Sequence, residues 1–188
     1  MKRWHLIAAW IVGGYVLDVL LRTKVAERSA RAYCDSVGKP LLNVGSGTRT
    51  SSLAAFLMGP SRVGDVNLDI AATAECRVER GSEPCHGDAH DLSRWPDKFF
   101  GAVVGCHVAE HLDDPVRAIQ EWRRVADRVY VVTPSPLTFH AYAHPGHRWL
   151  AAGPPERWTP LWPARTHEGF SGQPTGSAWW PSALTPGW

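Results

Sequence analysis

No apolar stretch in this chain is long enough to cross a bilayer unaided. The longest uninterrupted one, Leu6 to Leu17, holds twelve residues, against the roughly 20 that a spanning helix needs. Lys2 and Arg3 precede it as they would in a signal peptide, but no clean small-x-small cleavage pattern follows. A surplus of one charge is also missing. The 20 Lys and Arg against 18 Asp and Glu leave a net charge of +2, which excludes the whole chain as a polyanion binder. No basic stripe interleaved with aromatics points to a nucleic-acid partner. Cysteine is sparse, at four (34, 76, 85 and 106), and forms no CxxC pair. That usage reads as reduced thiols in a cytoplasmic setting. No internal repeat divides the 188 residues, so one domain with appended segments is expected.

What is present divides into three parts: a helical segment over residues 1–37, a domain over 38–150 and an irregular tail over 151–188. The first 40 residues carry seven Lys or Arg against three acids. The apolar segment 4–21 therefore reads either as a helix packed on the domain or a partner, or as a membrane anchor or interfacial helix drawn to an anionic face. Membrane contact through residues 4–21 is the second of these expectations. A further helix is predicted from Arg22 to about Val37, with Val25, Ala26, Ser29, Ala32 and Tyr33 at helical spacing. From residue 135 onward there are nine prolines, and six of the ten tryptophans follow residue 148. Beyond about Leu150 loop or disorder is expected, with the tryptophans seeking contacts.

Between these parts the pattern alternates. Leu41–Val44 is a short apolar strand ending on Gly45-Ser46-Gly47. A helix carrying Leu53, Ala54, Phe56 and Leu57 follows, then a strand at Val66–Ile70 and a weak one near Glu83 to Gly87. Phe100 to Cys106 reads as a buried strand. Asp113-Asp114-Pro115 starts a helix, since Asp supplies a cap oxygen and Pro suits the first turn. Its face is Ala118, Ile119, Trp122, Val125 and Ala126. Arg128 to Thr133 is the fifth strand, stopped by Pro134. Such alternation predicts an α/β domain: a Rossmann-like, doubly wound, mostly parallel sheet flanked by helices, with ligands beyond the carboxyl ends of its strands.

The chemistry-bearing residues fall at those ends. Gly45 and Gly47 let the backbone approach a ligand, and the free amides of a following helix bond polar groups. Asp69 closes the second strand, where a carboxylate can accept two ribose hydroxyls; a turn aspartate is the alternative. Asp88 after Gly87 can accept from an adenine amine or serve only a turn. The absence of GxGxxG argues against a nicotinamide-type site.

In order, Leu41–Thr48, Asn67–Asp69, Gly87–Leu92, Phe99–Leu112 and Val129–Pro134 resemble the class I S-adenosylmethionine-dependent methyltransferase family. The strongest stretch is GDAHDLSRWPDKFFGAVVGCHVAEHLDDPVRAIQEWRRV. The resemblance, over about residues 40–135, implies methyl transfer from S-adenosyl-L-methionine. It implies cofactor contacts at Asn43, Gly45, Ser46, Gly47, Asp69, Ile70, Asp88, Ala89 and Cys106. His107 lies just past the fourth strand, as a candidate base facing cofactor and substrate. Two positions depart from the family: Asn43 where an acid is frequent, and Arg49 where a third glycine is common. The expected acceptor is small or membrane-associated and lipid-like. A catalytically inactive binding module is the alternative function. No metal is expected. His140, His144 and His147 recur at near-helical spacing, but Pro145-Gly146 breaks the helix they would need. The segment HAYAHPGHRWL is instead expected to form a substrate-side loop walled by Tyr142 and Trp149.

Overall fold

The computed structural model describes residues 21–47, 61–138, 141–142, 144 and 146–161. Five parallel strands form one sheet in the order β3-β2-β1-β4-β5: β1 (Leu41–Val44), β2 (Val66–Asp69), β3 (Cys85–His86), β4 (Phe100–Cys106) and β5 (Ala126–Val132). Helix α1 covers residues 21–37 and α2 covers Pro115–Val125. The chain builds outward from β1 to β3 and then resumes on the other side of β1 with β4. The order therefore reverses between β1 and β4, and an α/β sheet opens its ligand crevice at that reversal, beyond the strands' carboxyl ends.

Alternate residues of the strands face opposite layers. Leu42, Val44, Val103, Val129 and Val131 face α2, where Ala118, Ile119, Trp122 and Val125 complete a cluster. Leu41, Ala102, Val104, Tyr130 and Val132 face Ala26, Ala30 and Cys34 of α1. Because both faces are covered, β1 and β4 are buried without alternation and apolar apart from Asn43, and their observed bounds match the runs in the sequence. Trp122 is fully buried and its indole Nε1 donates to Ala89 O at 2.9 Å. That single side chain ties α2 to the loop after β3.

Local chemistry sets the element ends. The Asp114 carboxylate caps α2 by accepting from Arg117 N at 3.0 Å, with Pro115 in the first turn. The Lys98 ammonium donates to Arg123 O and Ala126 O, both at 2.7 Å. It satisfies carbonyls that the helix end leaves open, so α2 passes directly into β5, which starts two residues earlier than expected.

The structure corrects four expectations. The buried stripe of α1 is Thr23, Ala26, Glu27, Ala30 and Cys34, whereas Val25 is 48% exposed and Ala32 is exposed. Small residues face inward because the helix lies close to the sheet; a side chain at Gly101 would sit 3.0 Å from Cys34 Sγ. Cys76 and Cys85 are not free thiols but a disulfide, their Cα atoms 4.8 Å apart. A parallel bridge between Ala74 and Cys85 folds the intervening loop back on β3. Regular structure is found beyond Leu150. There β6 (Trp149–Leu150) pairs antiparallel with β7 (Thr159–Pro160) across a 3-10 turn at Pro155–Arg157. Trp149 and Trp158, at 2% and 0% exposure, join the α2-side core. Burial of two indoles prevails over a backbone rich in Pro and Gly, and Pro160 is tolerated because this ribbon has open edges. Trp149 is therefore a core residue rather than a wall of a substrate loop, while Tyr142 is 46% exposed.

Among the described residues, no helix is long and apolar enough to cross a membrane. Residues 4–20 of the apolar segment, the helix expected around Leu53–Leu57, and Arg49, His140 and Pro145 lie outside the described residues, as does the tail from 162.

Candidate active site

At the carboxyl end of β1 the backbone turns through two glycines in the left-handed region, Gly45 at φ 66° and Gly47 at φ 77°. Gly45 N and Ser46 N both donate to Leu68 O, at 2.8 and 3.1 Å. Gly47 N donates to the Asp69 carboxylate at 2.9 Å. The turn is thereby laced to the end of β2. Asp69 Oδ1 also accepts from Ala71 N at 2.9 Å, leaving lone pairs on both oxygens, since a carboxylate offers about four acceptor positions. Ile70 projects beside it, 60% exposed. The Ser46 hydroxyl is buried without a hydrogen-bond partner.

The loop after β3 is held differently. Asp88 Oδ1 accepts from His90 N at 2.8 Å and His90 Nδ1 at 2.7 Å, while His90 Nε2 accepts from Asp114 N at 3.2 Å. These bonds fix the imidazole tautomer and anchor the loop to the start of α2. Partial burial raises the Asp88 pKa, but the His90 hydrogen bonds outweigh it and hold the carboxyl below its ordinary range.

Across the reversal, β4 ends at Cys106, and His107 follows at φ 56°. An L-residue is rarely held in that region without surrounding constraint; here His107 N donates to Val132 O at 2.7 Å. Its ring stands between Thr23 Oγ1, 3.5 Å from Nε2, and Glu110 Oε1, 3.5 Å from Nδ1. The next residue, Val108, packs on the first turn so closely that a Cβ on Gly45 would lie 2.5 Å from Val108 Cγ2. The two sides of the crevice thus touch through Gly45 and Val108.

Glu110 belongs to the 3-10 turn Ala109–His111 and is 1% exposed, with neither carboxylate oxygen in an ordinary hydrogen bond. Burial pushes its pKa up, but His107, His111 and His147 around it prevail and keep the carboxyl below its usual value. His147 Nε2 lies 4.0 Å from Glu110 Oε1. Burial, the largest influence on it, brings the His147 imidazole down to about 4, so the ring is neutral near pH 7. His111 and His144 complete a group of three imidazoles whose ligand atoms all lie within 4.8 Å of one another.

The structure brings Gly45, Ser46, Gly47, Asp69 and Ile70 together, with Asp88 and Ala89 on the neighbouring strand end. Asn43 stands apart in the sheet, 3% exposed, its Nδ2 donating to Ser61 O at 2.7 Å and Asn67 Oδ1 at 3.1 Å. Cys106 packs with the α1-side cluster. Burial, with Glu27 and Glu110 nearby, pushes its thiol pKa well up and keeps it neutral. Sequence reasoning missed His90 as the anchor of Asp88, the convergence of His111 with His144 and His147, and Thr133, whose buried hydroxyl has no partner at the end of β5. The Glu-His pair at 110–111 was a visible signal, but its histidine partners come from beyond β5.

An adenosyl cofactor fits the first side. The positive-φ turn brings bare backbone to the crevice, the Asp69 carboxylate retains acceptor capacity, the buried Ser46 hydroxyl lacks a partner, and Ile70 offers an apolar surface.

Residues 42–128 match the family model described as a methyltransferase domain. No curated protein is similar in sequence. One similar solved structure is an S-adenosylmethionine-dependent methyltransferase of Thermotoga maritima, a candidate histamine N-methyltransferase. It is 19% identical with a TM-score of 0.37, over 69% of this chain and 64% of that one. Another is a candidate methyltransferase of Bacillus halodurans C-125, 18% identical with a TM-score of 0.32, over 57% of this chain and 52% of that one. The chain thus spans less than two thirds of the length of either. Over residues 42–128, just under half of its length, the chain is thus similar to methyltransferase domains.

Proposed function

We propose that this protein is an active enzyme that transfers a methyl group from S-adenosylmethionine to a small nucleophilic acceptor bound beside His107. The bound cofactor supplies the activated methyl group. The chain's residues then have three tasks: holding the adenosyl group, aligning the acceptor, and excluding water. Gly45, Ser46 and Gly47 present backbone and hydroxyl to the methionine part. Asp69 accepts from the ribose hydroxyls, and Asp88, Ala89 and Ile70 border the adenine. His107 takes the acceptor's proton where the acceptor carries one.

The observation that supports this reading most is the His107 arrangement. Its imidazole stands at the topological reversal with Nδ1 toward the buried Glu110 carboxylate, 3.5 Å away. A base oriented by a second group is the recurring pattern of proton-transfer catalysis. A small acceptor suits a crevice whose walls are contributed by single turns. A lipid-like acceptor forms the second arm of the substrate screen, because the apolar segment 4–21 follows Lys2 and Arg3.

The test is formation of S-adenosylhomocysteine, followed by mass spectrometry across small amines, phenols, thiols and carboxylates, and across lipid-like acceptors in detergent. Turnover of at least one acceptor, lost in His107→Ala, is expected for proton-bearing acceptors. Tight cofactor binding with no turnover across the screen would favour the binding module instead.

A further inference from the structure

We propose that His111, His144 and His147 hold a divalent cation of the zinc class, with the buried Glu110 carboxylate beside it as counter-charge. The three rings come from two places: His111 from the turn after β4, and His144 and His147 from the segment after β5. Their centroids lie 4.5 to 5.4 Å apart. Three imidazoles are a familiar donor set for zinc, one that leaves a fourth position open.

Two rings are already oriented for a metal. His111 Nδ1 donates to Gly146 O at 2.7 Å, and His147 Nδ1 donates to Ala141 O at 3.1 Å. With Nδ1 protonated, each Nε2 keeps its lone pair, which is how outer hydrogen bonds usually fix a ligating histidine. His144 differs, since its Nδ1 accepts from Gly146 N at 3.1 Å and must release that amide to bind. Gly146 allows the crowding: a Cβ there would lie 3.2 Å from both His111 Nδ1 and His144 Cε1.

The independent pointer is Glu110. A carboxylate at 1% exposure without an ordinary hydrogen bond is costly to bury, and a cation held by His147, whose Nε2 is 4.0 Å from Glu110 Oε1, would offset that cost. The surrounding frame is built rather than loose. Arg148 N donates to Glu110 O at 2.8 Å, Trp149 Nε1 donates to Leu112 O at 2.7 Å, and Arg148 pairs with Asp113. Ligand atoms now up to 4.8 Å apart would close to about 3.3 Å around a tetrahedral ion with bonds near 2.0 Å. The ion would clip the turn after β4 to the segment after β5.

The experiment uses tag-free full-length protein, stripped with a chelator and desalted. It is titrated with Zn2+ against a chromophoric competitor and separately with Co2+ in the visible range. One equivalent of Zn2+ and the intense visible bands of four-coordinate cobalt are expected. His111→Ala and His147→Ala, each checked for folding by circular dichroism, should weaken Zn2+ binding by more than the roughly 100-fold that loss of an outer partner costs. Glu110→Gln should weaken it by about 10-fold, and His86→Ala should leave it unchanged. Absence of an equivalence point, weak six-coordinate cobalt bands, or stoichiometric binding unaffected by both His111→Ala and His147→Ala would overturn the proposal. None of these readouts depends on catalysis.

Discussion

Around Gly45–Gly47 the crevice is lined by backbone amides and carboxylates from consecutive strand ends. Around Glu110 it is lined by imidazoles gathered from the far sides of β4 and β5. On the first side the charged groups are held, Gly47 N by Asp69 and Asp88 by His90, and only the Ser46 hydroxyl among the residues named there lacks a partner. On the second side a buried carboxylate and the Thr133 hydroxyl are left without ordinary partners. The contrast separates a side built from backbone and carboxylates from a side built from imidazoles around a buried acid. It also says where variation should matter: changes on the first side should read out in cofactor affinity, those on the second in turnover and metal binding.

That division can be broken in graded ways. Trp122→Ala should have the largest effect, because it empties a fully buried indole site and removes the bond to Ala89 O. A loss of about 3–5 kcal/mol in urea unfolding is expected, with both sides failing together. His107→Ala should lower turnover of a proton-bearing acceptor by about 100-fold or more while S-adenosylhomocysteine affinity by calorimetry stays within error. Equal loss of affinity and turnover would place His107 on the cofactor side. Asp69→Ala should weaken cofactor binding by about 10- to 100-fold, the 1.5–3 kcal/mol attached to hydrogen bonds of a charged group, with the fold intact. Asp114→Ala should cost only about 1 kcal/mol of stability through its lost helix cap. A larger loss in the thermal unfolding of that variant would mean that the Asp114 carboxylate does more than cap α2.

The same contrast explains what was legible in the sequence. The cofactor side rests on short-range signals: an apolar run, a glycine pair, an acid at the next strand's end. The expected β1 and β4 therefore coincide with the observed strands, and Gly47 N donates to the Asp69 carboxylate at the end of the neighbouring strand. Capping chemistry likewise marked the start of α2 at Asp114-Pro115. What escaped was set by packing at a distance. The inward face of α1 follows from how closely a helix of small residues approaches Gly101. Trp149 and Trp158 order a proline-rich stretch because they reach the α2 core. Cys76 meets Cys85 only once the loop after β2 folds back. The spacing of His140, His144 and His147 points to a single helix, whereas His144 and His147 meet His111, which comes from a separate segment.

The claim on which the rest depends is that one adenosyl group lies across Gly45–Gly47, Asp69 and Asp88. Amide chemical shifts followed by NMR during titration with S-adenosylhomocysteine test it directly. The account predicts that the signals of Gly45, Gly47, Asp69, Ile70 and Asp88 move together along one binding curve. Saturable binding that leaves those signals in place and moves others would contradict it.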